Sequence, residues 1–214
     1  MIVFVHSSPT TLAPFRSPHL GVLCSPRRVY GDELEGWTWA ADNDAFSEWS
    51  DERYRAMLER VRGRPGLRFV TAPDVVGDAQ ETLARFWEWR DELLGVPLAF
   101  VLQDGATSRE VPWTQLSAVF VGGKDDEQGN AIWKLGPQAA ELVREAQARR
   151  KWVHMGRVNS HQRLRYAKAL GCDSVDGSSF SWYRGDGAPR RSRDRDRLVR
   201  FLSHAAAPAQ EMLA

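Results

Sequence analysis

Asp42, Asp74, Gln103, Gly122, Gly123, Met155 and Asp176 each fall at or just after the end of a short apolar run. If those runs are neighbouring strands of one parallel sheet, their ends share a rim, and residues remote in sequence line one pocket. A carboxylate in such a pocket can accept N–H donors, stabilise positive charge on a nearby carbon, or attack that carbon as a nucleophile. Gathering Asp42, Asp74 and Asp176 costs free energy unless each has a task or a partner. Each type also has a plainer use. Asp-Gly, as at Asp176-Gly177, marks ordinary turns. Strand-end acids often cap helices, and Asp74 before VVGD fits that role. A Gly pair is a common turn, and Met155 is of a core-packing type.

The elements that must position these residues read as an alternation. The stretch KWVHMGRVNSHQRLRYAKALGCDSVDGSSF, from Lys151 to Phe180, is strand, helix, strand. Lys151–Met155 is a short apolar run. Asn159 or Ser160 caps the helix, and Gly171 supplies its left-handed stop. Cys172–Val175 is the next strand, and Asp176 leaves it. Strands are also expected at Ile2–His6, Leu20–Cys24, Trp37–Ala41, Leu67–Ala72, Pro97–Leu102 and Ala118–Val121. Helices are expected at Glu48–Val61, at Gly136–Arg150, and from an Asp78 cap through Leu94, where Leu83, Phe86, Trp87 and Leu94 form an apolar face. Ser7–Pro18 reads as a loop, Ser181–Arg197 as a polar stretch, and Leu198–His204 as a last helical turn or two. Without any internal repeat, this order favours an α/β fold: a small, irregular (β/α)8 barrel of TIM type over residues 1–204, with a frayed tail at 205–214. A doubly wound open sheet is the competitor, because short apolar runs do not separate the two.

The chain has 214 residues, 43% hydrophobic and 27% charged, which suffices for one well-buried domain. A formal net charge of +1 means that bulk charge does not announce a nucleic-acid binder. Two cysteines, Cys24 and Cys172, are too few for a disulfide framework or a cysteine zinc site. They read as reduced thiols of a cytoplasmic protein. No apolar run reaches membrane-spanning length, and MIVFVHSSP reads as a strand rather than a signal peptide. No His, Cys or Asp cluster has metal spacing, so neither metal nor cofactor is expected. Nine Trp residues is a high number, and several fall near loops, where indoles can stack on bases.

The order DNDAF, APD, LQDG, VFVGG, HMG and GCDSVD resembles that of the tRNA-guanine transglycosylases. It is closer still to their DNA-acting relatives, the DpdA-type 7-deazaguanine DNA transglycosylases. The resemblance spans Trp37 to Asp176. It implies that Asp176 is the nucleophile, which attacks the anomeric carbon of a nucleotide and holds the sugar covalently. It implies that Asp42 handles protons at the nucleobase, and that Asp74 binds the base's amide and amino edge. Gln103, Gly122 and Gly123 match the groups that contact the base carbonyl, and Phe46 and Met155 those that sandwich the base. The implied partners are a flipped nucleotide in DNA and a free 7-deazaguanine base as co-substrate. Extruding the base costs roughly a few kcal/mol of unstacking.

The departures are informative. The tRNA enzymes carry a zinc site of three cysteines and a histidine after the nucleophile, which this chain lacks, and GSSFSWYRGD replaces their Pro-Thr-Arg run. Both argue for DNA over tRNA. Asp44 stands where the tRNA enzymes have Gly. A carboxylate there can position water and turn base exchange into hydrolytic removal, leaving an abasic site, as suits defence against modified phage DNA. A third alternative is a module that binds a purine-like base without chemistry. An Arg-rich segment with Arg184, Arg190, Arg191, Arg193, Arg195 and Arg197 follows Asp176; with Lys124, Arg157 and Arg163 it forms a candidate basic rim for a phosphate backbone. Trp182 and Tyr183 beside it are candidate stacking residues. A solvated face is the plainer reading of that segment, and a satisfied structural role the plainer reading of His154.

Overall fold

The computed structural model describes residues 1–47, 49–126, 132–177 and 192–208, with the side chains of 192–195 outside that description. Eight strands run in chain order: β1 Ile2–Val5, β2 Leu20–Cys24, β3 Trp39–Ala41, β4 Leu67–Thr71, β5 Leu98–Leu102, β6 Ala118–Val121, β7 Trp152–Met155 and β8 Ser174–Asp176. Each pairs in parallel with its sequence neighbours. β8 returns to β1, with Phe4 opposite Asp176, so the sheet closes into a barrel. This is the TIM-type (β/α)8 architecture, and closure removes every sheet edge.

Helices cover the outside unevenly. They are α1 Pro9–Leu12, α2 Asp51–Val61, α3 Ala79–Glu88, α4 Pro137–Ala148, α5 His161–Ala169 and α6 Ser192–Ala206. Their starts follow from local chemistry. Ser8, Ser50, Asp78 and Ser160 each accept backbone N–H bonds as N-caps. Pro9 and Pro137 occupy first-turn positions, where no N–H is needed. The 7–18 segment, read above as loop, thus contains a Ser-capped, Pro-started turn of helix. α3 stops at Glu88 rather than Leu94. The chain then turns, and Trp89 and Leu93 tuck into the core while Leu94 stays exposed. β2 and β3 are joined by a 3-10 turn at Asp32–Leu34, and β5 and β6 by another at Trp113–Gln115. α6 is longer than the expected turn or two. It packs on β1 and α5 through buried Leu198, Phe201 and Ala205, covering the seam where the barrel closes.

Strand side chains alternate between two environments. Outward positions such as Val3, Val5, Val119, Val153, Met155 and Val175 join the large core between sheet and helices. Inward positions Phe4, Leu23, Ala40, Phe69, Ala99 and Ala118 form a separate small cluster, with Phe120 and Trp152 packed against it. A period of two therefore fixes which residue reaches the barrel axis.

The tryptophans serve this shell. Arginines lie over the rings of Trp37, Trp49, Trp87, Trp89, Trp113 and Trp152 at 4.6–5.9 Å from the ring centres. Those indoles pair with the protein's own cations rather than standing open for bases. Cys24 and Cys172 are buried free thiols, pushed up to about 11 and about 12 by desolvation. Among the described residues, no helix is long and apolar enough to cross a membrane.

Candidate active site

Two residues beyond the apolar cluster, the same inward positions become polar. Asp42, Gln103, Gly122, Gly156 and Asp176 follow Ala40, Val101, Phe120, His154 and Ser174 at a spacing of two. All five line one cavity at the carboxyl-terminal mouth, with Asn43, Phe46, Thr71, Asp74, Gly123, Lys134 and Arg157. It holds about 420 Å³ of non-atom space, its open mouth included, a size that suits one small flat ligand.

Asp176 is the last residue of β8, not the first beyond it, and is 8% exposed. Its Oδ1 takes a bond from His154 Nε2 at 3.0 Å and one from the Arg157 backbone N–H at 3.3 Å. His154 Nδ1 lies 2.9 Å from Ser174 Oγ, which accepts from Trp152 Nε1 at 2.8 Å. The imidazole is fully buried, its ring centre 4.6 Å from that of Phe120 and 5.1 Å from that of Phe69. His154 is thus satisfied, as a structural histidine is, but its partner is the key carboxylate. Burial pushes the Asp176 carboxyl up. The hydrogen bond and electrostatic pull of His154, aided by His6 and Lys134, outweigh it and hold the group below the usual carboxylate value. Both bonds fall on Oδ1.

Asp42 behaves oppositely. Burial, then the nearby charges of Asp176, Asp74 and Asp44, push it well above the ordinary value. One carboxyl is held below the ordinary value and the other pushed above it across a single cavity, the kind of separation that acid–base chemistry uses.

Asp74 sits in an array of amides. Asn43 Nδ2 donates to its Oδ1 and Gln103 Nε2 to its Oδ2, both at 2.6 Å. Burial still raises it overall, against those two bonds. Gln103 Oε1 in turn accepts the backbone N–H groups of Gly77 and Gly123, each at 2.9 Å.

The glycine pair does different work from that implied by resemblance. The Gly122 N–H bonds to Leu102 O and the Gly123 N–H to Gln103, so neither is left for a ligand carbonyl. A Cβ on Gly122 would stand 2.9 Å from Gln103 Nε2 and 2.7 Å from Val101 Cγ1. The missing side chain makes room for the glutamine, while Gly123 adopts φ +92°.

Met155 does not reach the cavity. It is fully buried in the outer core, because its position in β7 has the outward parity. Its neighbour Gly156 lines the cavity instead. A Cβ there would come within 2.4 Å of the Phe120 ring and 3.3 Å of Asp176 Oδ1. The glycine of HMG, not its methionine, lets the floor and the carboxylate approach.

Phe46 is 60% exposed at the mouth, with the Arg157 guanidinium 4.3 Å from its ring centre. Asp44 turns away from the cavity. It pairs with Arg27 at 3.3 Å, accepts from Ser47 Oγ at 2.9 Å, and takes a left-handed φ of +60°. A water-positioning role at the sugar does not fit that orientation.

Of the expected cationic rim, Lys124 is exposed, and Arg157 is half-buried with its Nη2 3.0 Å from Asp125. Arg163 is turned inward, to Arg157 O and toward Asp125. Trp182, Tyr183, Arg184, Arg190 and Arg191 lie outside the described residues; so do the side chains of Arg193 and Arg195. The helix α6 that begins at Ser192 replaces the polar stretch expected through Arg197.

Besides Gly156, Asn43 and Thr71 of the cavity lining, two titratable residues near Asp176 escaped the sequence reading. Lys134, 2% exposed, lies in the segment before α4, and its Nζ donates to Gly156 O at 2.8 Å. Desolvation lowers it to about 8, against the opposing pull of Asp176 and Asp125. Nothing local marks it, since Ile132-Trp133-Lys134 resembles any loop. His6 follows β1, and burial lowers its pKa despite Asp176 and Asp44. Its signal was available: Phe4 and His6 continue the inward parity.

No family model matches the chain, and no curated protein does. Solved structures do. One of native KDPGal is 11% identical, over 95% of this chain and 94% of that one, with a TM-score of 0.51. The Amycolatopsis orientalis BexX/CysO complex gives 18% identity over 82% and 71%, at a TM-score of 0.46. At these identities the likeness is one of barrel fold, and the side chains above must carry the functional argument. Among the described residues, no group of three or more His, Cys, Asp or Glu is arranged to hold a metal ion.

Proposed function

We propose that this chain acts on the N-glycosidic bond of a nucleobase in DNA, with Asp176 as nucleophile, by exchanging one guanine-like base for another. The observation that carries the reading is the pair of oppositely perturbed carboxyls lining one cavity, Asp176 held below the usual carboxylate value by His154 and Asp42 pushed well above it by burial and the neighbouring acids.

The Asp176 carboxylate attacks the anomeric carbon as the bond to the base breaks. The positive charge building on the sugar is stabilised by the same carboxylate. Asp42 gives its proton to the departing base and takes one back from the incoming base. The sugar waits as an ester on Asp176, so the second base meets a reactive carbon rather than water. Asp74 accepts N–H donors of the base edge through lone pairs that Asn43 and Gln103 leave open. Gln103, pinned by two backbone donors, keeps a second Nε2 proton for a base carbonyl. Phe46, backed by Arg157, offers an exposed ring on which a base stacks.

The pairing of Asp44 with Arg27 takes away the extra carboxylate that the hydrolytic alternative calls on, which favours exchange. The test is product analysis. DNA is incubated with and without labelled 7-deazaguanine. Label in the DNA, lost in Asp176→Asn, supports exchange. Abasic sites without added base point to hydrolytic removal. A chain that retains the free base but never alters DNA, with or without Asp176, is a binding module, and the proposal fails.

A further inference from the structure

Lys134 has no role in the chemistry above, yet it is one of the most heavily buried charged groups in the protein and it lies in the cavity wall. Its Nζ is 2.8 Å from Gly156 O, and the Gly156 Cα is so close to Asp176 that a Cβ there would stand 3.3 Å from Oδ1. The amine and the nucleophilic carboxylate therefore flank the same residue and open on the same space. A surface lysine would extend into water. This one lies in the cavity wall and, among the described residues, its nitrogen makes one hydrogen bond, to a carbonyl, and no ion pair.

We propose that Lys134 is a second nucleophile of this cavity, an amine that condenses with C1′ of a base-free deoxyribose in DNA and leads to strand cleavage by β-elimination. For its substrate the proposal rests on the N-glycosidic reading above.

The steps balance without an external oxidant or reductant. From the Asp176 ester, the Nζ lone pair forms a bond to C1′ and the ester C1′–O bond breaks, its electron pair returning to the carboxylate. From an abasic site already present in DNA, the amine adds to the C1′ aldehyde, and the hydroxyl so formed takes a proton from solvent and leaves as water. In the first route the C1′–O4′ bond then opens and O4′ takes the proton that nitrogen releases. Both routes give a protonated imine. The Asp176 carboxylate removes a proton from C2′, the C3′–O3′ bond breaks, and the phosphate leaves with the electron pair. Water hydrolyses the imine and frees Lys134. Desolvation makes the step accessible, since an amine lowered to about 8 is partly free base near neutral pH.

The test uses the whole chain and an oligonucleotide with one preformed abasic site, treated with sodium cyanoborohydride at pH 8. A covalent adduct is expected, mapping by mass spectrometry to Lys134. Lys134→Arg, which keeps the charge and loses the free amine, and Lys134→Met should each lower trapping at least tenfold. Asp176→Asn should still trap but cleave the strand at least tenfold more slowly. No adduct with the unmodified protein, or an adduct on Lys124 or another lysine, overturns the proposal; mapping on the unmodified chain makes this independent of whether any variant folds. Base release is measured in parallel. Release without an adduct at Lys134 removes the amine chemistry and leaves the glycosidic reading standing. An adduct at Lys134 without release from any base-bearing DNA keeps the amine chemistry and removes that reading.

Discussion

The barrel interior has two layers built on the same strands and separated by one side-chain step. In the lower layer, Phe4, Leu23, Ala40, Phe69, Ala99 and Ala118 pack without a charged group among them. In the upper layer, Asp42, Gln103 and Asp176 occupy the next inward positions, and Asp74 and Lys134 join them from the loops. The lower layer is what stability selects: apolar, close-packed and indifferent to pH. The upper layer spends stability to hold carboxyls whose pKa values are pushed apart within one cavity. His154 joins the two, its ring packed among Phe4, Phe69 and Phe120 and its Nε2 on Asp176. The aromatic packing is therefore also the scaffold that aims the nucleophile.

Substitutions in each layer should separate these functions. The largest effect belongs to Asp176→Asn, expected to lower base exchange by about 10⁴-fold or more, as loss of a nucleophile does, with little change in thermal midpoint. If exchange persists, the layers do not differ as described. Phe69→Ala should do the reverse. A fully buried phenyl ring lost from the lower layer costs about 3–5 kcal/mol in denaturant titration, and activity should fall only as the folded fraction falls. His154→Gln tests the link. With the imidazole gone, Asp176 loses the largest influence opposing its burial, so its apparent pKa should rise. The acid limb of the exchange rate should then move to higher pH, with the plateau about 10- to 100-fold lower. A purely structural histidine would lower stability without moving that limb.

Asp42→Asn carries a sign of its own. A carboxyl raised on folding binds its proton more tightly in the native state, so its contribution to stability is present below the unfolded pKa and is lost as pH rises through the folded one. Removing it should raise the thermal midpoint by on the order of 3 °C at alkaline pH, by less at acid pH, and abolish exchange throughout. The smallest effect is expected from Phe46→Ala. This exposed ring adds nothing to the core, so the thermal midpoint should hold while KM rises by about tenfold.

Much of this was legible in the chain. Short apolar runs ending in Asp42, Asp74, Gln103, Gly122 and Asp176 placed the cavity, because parallel strands bring their carboxyl ends to one rim. The caps Asp78 and Ser160 placed two helices. The misses share a cause. Met155 was read as a ligand contact because it ends a strand, but its odd parity turns it to the helices. Counting by twos from His154 to Gly156 and from Phe4 to His6 would have favoured Gly156 and added His6.

The sequence alone determined the alternation, the strand ends and the gathering of carboxylates, since these follow from local periodicity and chain direction. Tertiary structure decided the rest. Which acid is pushed up and which is held down depends on the neighbours that closure of the barrel supplies, with His154 from β7 beside Asp176 from β8. Lys134 enters only because tertiary packing sets its amine against Gly156 in the cavity wall, and no local pattern encodes that long-range contact.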